Sequence, residues 1–219
     1  MEILKIAILG GTGKEGKGLG YRWAKAGHHV IIGSRQKEKA ELAVSEIKLM
    51  KPGLGEIIGT DNLSAASEAD VVVLTIPYTA HADMCEIIKE SVQGKLVIDV
   101  TVPLVPPKVT KVQMPPAGSA TMEARSIFGE NVRLGAAFQN ISYEHLLNDQ
   151  EIHCDVLVTG DSKATREEII NLVNDAGLIG WEAGPLENSV VVEGLTSVLI
   201  GLNKKYGIQD AGIKITGIN

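Results

Sequence analysis

The run Gly10-Gly11-Thr12-Gly13-Lys14-Glu15-Gly16 is the first place in this chain where residue types and spacing could do chemistry. Gly11, Gly13 and Gly16 satisfy GxGxxG, with an apolar run before them and a helix-like stretch after. Gly11 permits a tight turn, Gly13 lets the backbone approach a pyrophosphate, and Gly16 lets helix and strand pack closely. The helix N-terminus then offers free N–H groups and partial positive charge to phosphates. Thr12, Lys14 and Glu15 complete this candidate cofactor loop. The plainer alternative is a glycine turn with no ligand.

The next strand-like run ends Ile31-Ile32-Gly33-Ser34-Arg35. An NAD site places Asp or Glu here, to accept hydrogen bonds from the adenosine ribose. A carboxylate would repel a 2′-phosphate, whereas Arg35 can grip one by a forked, charge-assisted pair and Ser34 can donate a further bond. Lys39 follows one helical turn later and can face the same phosphate. NADP(H) is therefore the expected nucleotide. The competing reading makes Arg35 and Lys39 a solvated face partnered by Glu38 and Glu41. Further on, Val71–Ile76 runs into Pro77-Tyr78, and Thr75, Ile76 and Pro77 are expected to form a wall beside the nicotinamide ribose.

The chain shows no Ser–His–Asp arrangement and no ligand-spaced His/Cys cluster among His28, His29, His81, His145, His153, Cys85 and Cys154. No metal and no acid–base catalytic residue is expected, because a hydride can pass directly between cofactors that the protein only orients. His81 and His145 read as surface or helix-face histidines, and Asn140 and Thr196 as polar residues of a cleft.

These residues need a scaffold. Short apolar runs at Ile3–Leu9, His29–Gly33, Glu56–Gly59, Val71–Ile76, Leu96–Val100, Val132–Phe138, Asp155–Thr159 and Leu178–Trp181 read as strands. Helices are expected at Lys14–Ala26, Lys37–Met50 (stopped by Pro52-Gly53), Leu63–Glu68, Ala80–Val92, Ser119–Phe128, Tyr143–Leu147, Ala164–Ala176 and Asn188–Tyr206. The last is apolar on more than one face and is expected to be buried, against a second subunit. Val102–Gly118 holds five of the eight prolines and reads as a crossing loop. Strands alternating with helices give an α/β, Rossmann-type doubly wound, mostly parallel sheet with a small C-terminal α/β part.

The bulk numbers exclude several classes. The chain has 219 residues, a net charge of −6 and only 4% aromatic residues. It lacks the basic, aromatic footprint of a nucleic-acid binder, and no apolar run spans a membrane. Met1-Glu2-Ile3-Leu4-Lys5-Ile6 leads straight into a strand without signal-peptide features, and the two cysteines read as reduced thiols, so a cytoplasmic protein is expected.

Taken together, Gly10-Gly11-Thr12-Gly13 leading to Gly16-Lys17-Gly18-Leu19, Gly33-Ser34-Arg35 with Lys39, and Leu74-Thr75-Ile76-Pro77 resemble the coenzyme F420-dependent NADP oxidoreductases. Gly160-Asp161, Ala183-Gly184-Pro185-Leu186 before Asn188-Ser189, and Gly212-Ile213-Lys214 extend the resemblance over nearly the whole chain. It implies hydride transfer between NADP(H) and the deazaflavin F420, the second cofactor or substrate, with the two rings face to face in a cleft. It implies an NADP-binding Rossmann domain over 1–140, and a smaller part over 141–219 that covers the second-cofactor cleft. It places Thr12, Ser34, Arg35 and Lys39 on the 2′-phosphate and Pro77 beside the nicotinamide. Where the family pattern has His-Thr-Ile-Pro near F420, this chain has Gln139-Asn140-Ile141-Ser142. Gln139, Asn140 and Ile141 are the corresponding candidates, and Gln139 keeps a hydrogen-bonding edge. The rival functions are an NADPH-dependent reductase of a flavin or of an imine such as pyrroline-carboxylate, and a non-catalytic NADP(H) sensor. A homodimer is expected.

Overall fold

The computed structural model describes residues 2–51, 53–147 and 151–217. Strands and helices alternate: β1 (Lys5–Leu9), α1 (Lys14–Ala26), β2 (His29–Ser34), α2 (Lys37–Met50), β3 (Ile57–Asp61), α3 (Asn62–Glu68), β4 (Val71–Leu74), α4 (His81–Ile88), β5 (Leu96–Asp99), α5 (Ala120–Phe128) and β6 (Arg133–Ala136). There follow β7 (Asp155–Gly160), α6 (Lys163–Asp175), β8 (Ile179–Glu182) and α7 (Ser189–Tyr206). The sheet runs β3-β2-β1-β4-β5-β6-β7-β8. The pairings from β3 to β6 are parallel, β7 joins β6 antiparallel, and β8 is parallel to β7. The order reverses around β1 and β4, and their carboxyl ends form the crevice where this fold takes its ligands.

Strand alternation divides the core in two. Ile6, Ile8, Val30, Ile32, Val71, Val73, Leu96 and Ile98 point to the face covered by α1, α2 and α6. Ala7, Leu9, Ile31, Val72, Leu74 and Val97 point to the face covered by α3, α4 and α5. With both faces covered, the central strands read as continuous apolar runs.

Most element ends differ from the expected bounds by a residue or two, the expected helix at Tyr143–Leu147 is a single 3-10 turn over Tyr143–His145, and the following differences shape the crevice. Val71–Ile76 ends as a strand at Leu74, opposite the end of β1 at Leu9; Thr75 closes that end by donating from its amide and its hydroxyl to the Leu9 carbonyl, each at 3.0 Å. Val132–Phe138 shortens to Arg133–Ala136, because Phe138 takes φ +75°. The helix expected to reach Val92 ends at Ile88. Pro52, the expected stop of α2, lies outside the described residues; the helix ends at Met50 with Lys51 as its cap.

Within one chain the long C-terminal helix is buried on one side only: Val191 is 66% and Val198 48% exposed, with Val190 and Leu202 beside them. Its buried face carries Ser189, Glu193 and Ser197 among Val192, Gly194 and Leu199. Ser189 and Glu193 hydrogen-bond to the N-terminus of α5, so Val190, Val191 and Val198 face outward.

Trp23 joins the two halves of the chain. Its indole is fully buried, donates to the Leu172 carbonyl on α6 at 2.8 Å, and meets Phe138 edge-to-face with centroids 5.8 Å apart. Trp23→Ala empties that volume and orphans the carbonyl. The expected loss is about 3–5 kcal/mol of folding free energy, read as a lower midpoint in urea unfolding.

Candidate functional site

The glycine loop is built by close approach on one side only. A Cβ on Gly11 would lie 2.7 Å from the Ile8 carbonyl oxygen, and one on Gly16 would lie 2.5 Å from the Gly11 Cα. Gly10 holds φ +69° with Ile76 packed against it. A Cβ on Gly13, by contrast, would meet nothing nearer than the Gly10 carbonyl at 3.9 Å. Asp61, Ser119 and Ser162 cap α3, α5 and α6 with their side chains, whereas Gly13 gives α1 no side-chain cap. The first-turn N–H groups of α1 are thus left for an external acceptor, as a phosphate site requires. The Gly10 amide donates to Asn62 Oδ1 at 3.1 Å and the Gly11 amide to the Gly33 carbonyl at 3.0 Å, which ties the loop to α3 and to the end of β2. Asn62 was not singled out from sequence; its signal is a polar residue at the start of a helix that faces the loop from the next unit.

At the end of β2, Ser34 is nearly buried and its hydroxyl accepts from the Gln36 amide at 3.4 Å. Arg35 and Lys39 are exposed, and neither side chain has an ion pair or hydrogen bond among the described residues. Glu41, one of the partners that an ordinary solvated face would use, is taken by Lys37 at 3.6 Å. Two cations are therefore held beside the loop without protein acceptors.

The loop's own lysines are committed elsewhere. Lys14 reaches Glu144 at 3.3 Å and lies over the Tyr143 ring, and Lys17 pairs with Glu46 at 2.9 Å. Glu15 makes no such pair among the described residues, and burial pushes its carboxyl up to about 8.

At the end of β4, Thr75 spends its hydroxyl on Leu9, Ile76 is buried against Gly10, and Pro77 is exposed. Of the three, Pro77 alone presents its side chain outward. On the next strand end, Asp99 takes His81 Nε2 at 2.7 Å, and both side chains are fully buried. His81 is thus neither a surface nor a solvated helix-face histidine. Burial works against its charge, but the Asp99 carboxylate outweighs burial and raises its pKa. Gln139 donates from its side-chain Nε2 to the Asp99 backbone carbonyl at 2.6 Å, while the Gln139 backbone carbonyl accepts from the Thr196 hydroxyl at 2.6 Å. Gln139 Oε1 and Thr101 Oγ1 are buried beside Asp99 without a hydrogen-bond partner among the described residues. Asn140 is spent internally: its amide donates to the Asp155 carbonyl at 2.6 Å and holds β7 in place. Ile141 packs half-buried against the core. His145 faces Asp210 at 3.3 Å, away from the crevice.

Glu193 underlies this edge. Its carboxylate accepts from the Ala120 amide at 2.7 Å, the Thr121 amide at 3.1 Å and the Thr121 hydroxyl at 2.7 Å. Ser189, one turn earlier, lies 2.7 Å from Ser119. Burial, helped by Asp99, pushes the Glu193 carboxyl up to about 7 despite those donors. The folded state then keeps a proton that the unfolded chain releases above its ordinary value of 4.5. The contribution of Glu193 to stability therefore falls as pH rises from about 4.5 to 7. Denaturant unfolding at pH 5 and pH 7.5 should show this decline, and Glu193→Gln should reduce it. Asp99 and Glu193 were missed from sequence, and His81 reads there as a surface or helix-face histidine; a lone acid inside Val190-Val191-Val192-Glu193-Gly194 is the signal that could have found Glu193.

A doubly wound sheet with an uncapped glycine loop at its crevice, and with Ser-Arg where an acid would select NAD, defines a Rossmann-type NADP-dependent oxidoreductase. Similarity narrows the class. Residues 5–103 match the family described as NADP oxidoreductase, coenzyme F420-dependent. A protein named F420-dependent NADP reductase from Methanocaldococcus jannaschii is 40% identical over 223 residues, covering 98% of this chain and 99% of the relative. One of the same name from Methanothermobacter thermautotrophicus is 39% identical, covering 99% and 96%. A crystal structure of a putative F420-dependent NADP reductase from an Arthrobacter species superposes with a TM-score of 0.80 at 23% identity, over 97% of this chain and 99% of that one. The chain belongs to the coenzyme F420-dependent NADP oxidoreductase family.

Proposed function

We propose that this protein transfers a hydride between NADP(H) and the deazaflavin coenzyme F420. The observation that carries the nucleotide half is the pair of exposed, unpartnered cations, Arg35 and Lys39, beside an uncapped helix N-terminus. The loop residues fit a dinucleotide, since Gly11 and Gly16 are filled by the protein's own backbone while Gly13 leaves its outer side clear. Thr12, Ser34, Arg35 and Lys39 hold the 2′-phosphate; the amides of Lys14, Glu15 and Gly16 face the pyrophosphate. Pro77 walls the nicotinamide, backed by Thr75 and Ile76.

The second-ring side is the edge formed by β5, β6 and α7. Gln139 Oε1 and Thr101 Oγ1, both unpartnered there, suit a polar ring edge, with Ile141 and Asn140 fixing the segment. When both cofactors are bound, they supply the hydride donor and acceptor; the protein supplies alignment and keeps water out. Residues 1–140 act as the NADP-binding part and 141–219 as the cover of the second cleft. We also place the protein in the cytoplasm, its two buried cysteines being free thiols. We expect a homodimer through the apolar face of Val190, Val191, Val198 and Leu202.

The test is turnover of NADPH with F420, run beside FMN, pyrroline-carboxylate and no acceptor. F420 reduction far faster than any other is the expected result. Tight NADPH binding with no turnover of F420 would overturn the proposal and favour another acceptor or a sensor.

A further inference from the structure

The phosphate loop has an uncompensated acid where a dianionic ligand is to be received. Lys14 and Lys17 flank Glu15 in sequence, yet each is neutralised by an acid from another element, Glu144 and Glu46. Glu15 is left half-buried in the first turn of α1, with no ion pair or hydrogen bond among the described residues. It lies one turn before Leu19 and two before Trp23, the face that packs on Phe138 ahead of Gln139. Glu15 thus sits in the first turn of α1, next to Gly16 of the glycine loop and on the helix face that carries Leu19 and Trp23. A charged carboxylate there would repel a pyrophosphate at the same helix terminus.

From this placement we infer that Glu15 must carry a proton when the dinucleotide binds, so that NADP(H) binding is linked to proton uptake at this residue. The inference rests on the nucleotide site proposed above. Burial supports it by holding the carboxyl near 8 before any ligand adds its own charge. The surrounding titratable groups do not replace Glu15 in this role. Glu144 and Glu46 are paired with Lys14 and Lys17; His145 faces Asp210; His29 on β2 faces Glu56 at 2.8 Å. On the α6 side His28 is held by Asp175 at 3.1 Å, and across the crevice His81 is locked to Asp99. Glu193, pushed up to about 7, lies beneath α5.

If only the protonated form binds, apparent affinity follows the protonated fraction, which falls about eightfold between pH 7.5 and 9 for a group titrating near 8. That window avoids the nucleotide's own 2′-phosphate, which titrates near pH ~6. NADP+ binding is to be measured calorimetrically across it, in two buffers of different ionisation enthalpy. The expected result is an affinity loss of that size, with uptake approaching one proton per nucleotide at the upper end. Glu15→Gln, an isostere of the protonated acid, should abolish both the slope and the uptake. Unchanged affinity in the wild type, or a slope that survives in Glu15→Gln, would overturn the linkage while leaving the nucleotide site standing. No binding at any pH would overturn both.

Discussion

Arg35→Ala should weaken NADPH by roughly 10- to 150-fold while leaving NADH almost unaffected. The expectation follows from what Arg35 does not do. Its guanidinium is exposed and has no acceptor among the described residues, so its removal breaks nothing inside the protein. A charge-assisted hydrogen bond to a phosphate is worth about 1.5–3 kcal/mol, and that free energy sets the fold-change. Only the 2′-phosphate distinguishes the two nucleotides, so the ratio of their dissociation constants isolates the contact. Lys39→Ala should follow the same direction with a smaller effect, since an ammonium makes a point contact where a guanidinium makes a fork. Nucleotide fluorescence titrations of both variants with NADPH and NADH are sufficient. Equal weakening of both nucleotides by Arg35→Ala would remove the residue from the 2′-phosphate.

The parts of this molecule that were legible in its sequence are those fixed by local rules. Gly11, Gly13 and Gly16 are spaced by the geometry of a strand, a turn and a helix, and that spacing is visible without knowledge of the rest. The apolar runs of β1, β4 and β5 are continuous because both faces of the sheet are covered, which composition alone reveals. The second-ring edge is different. Asp99, His81 and Gln139 meet from three separated segments, Glu193 reaches the start of α5 from a fourth, and each makes sense only through its partner. A histidine at the start of a helix looks like surface until the Asp99 carboxylate is found 2.7 Å away. The same limit explains α7. Its apolar residues lie on more than one face, and which face turns inward within the chain is set by Ser189 and Glu193 reaching the N-terminus of α5, a contact that no periodicity of α7 contains. Phe138 adds a conformational reason, since its φ of +75° ends β6 early and turns Gln139 toward Asp99.

Gly13→Ala and Gly16→Ala, one residue type and three positions apart, should fail in opposite ways. A methyl on Gly13 meets nothing of the protein within 3.9 Å, and its φ of −72° is one that alanine adopts freely. The folded protein should keep its melting temperature, but the methyl takes the side from which a pyrophosphate must approach the α1 amides. NADPH affinity should fall at least tenfold, about 1.4 kcal/mol. A methyl on Gly16 would lie 2.5 Å from the Gly11 Cα and 2.9 Å from Thr75 Oγ1. Neither can withdraw, because Thr75 is bonded to Leu9 and Gly11 to Gly33. The helix must shift off β1, an overpacking cost of about 1–3 kcal/mol, or about 2–4 °C in melting temperature per kcal/mol for a chain of this size. Thermal melts without nucleotide separate the two variants before any binding is measured. If Gly13→Ala melts early, the loop's outer side is packed by protein and cannot be the pyrophosphate cradle. If Gly16→Ala melts normally, α1 has room to spare, and close helix–strand approach is not what glycine supplies at that position.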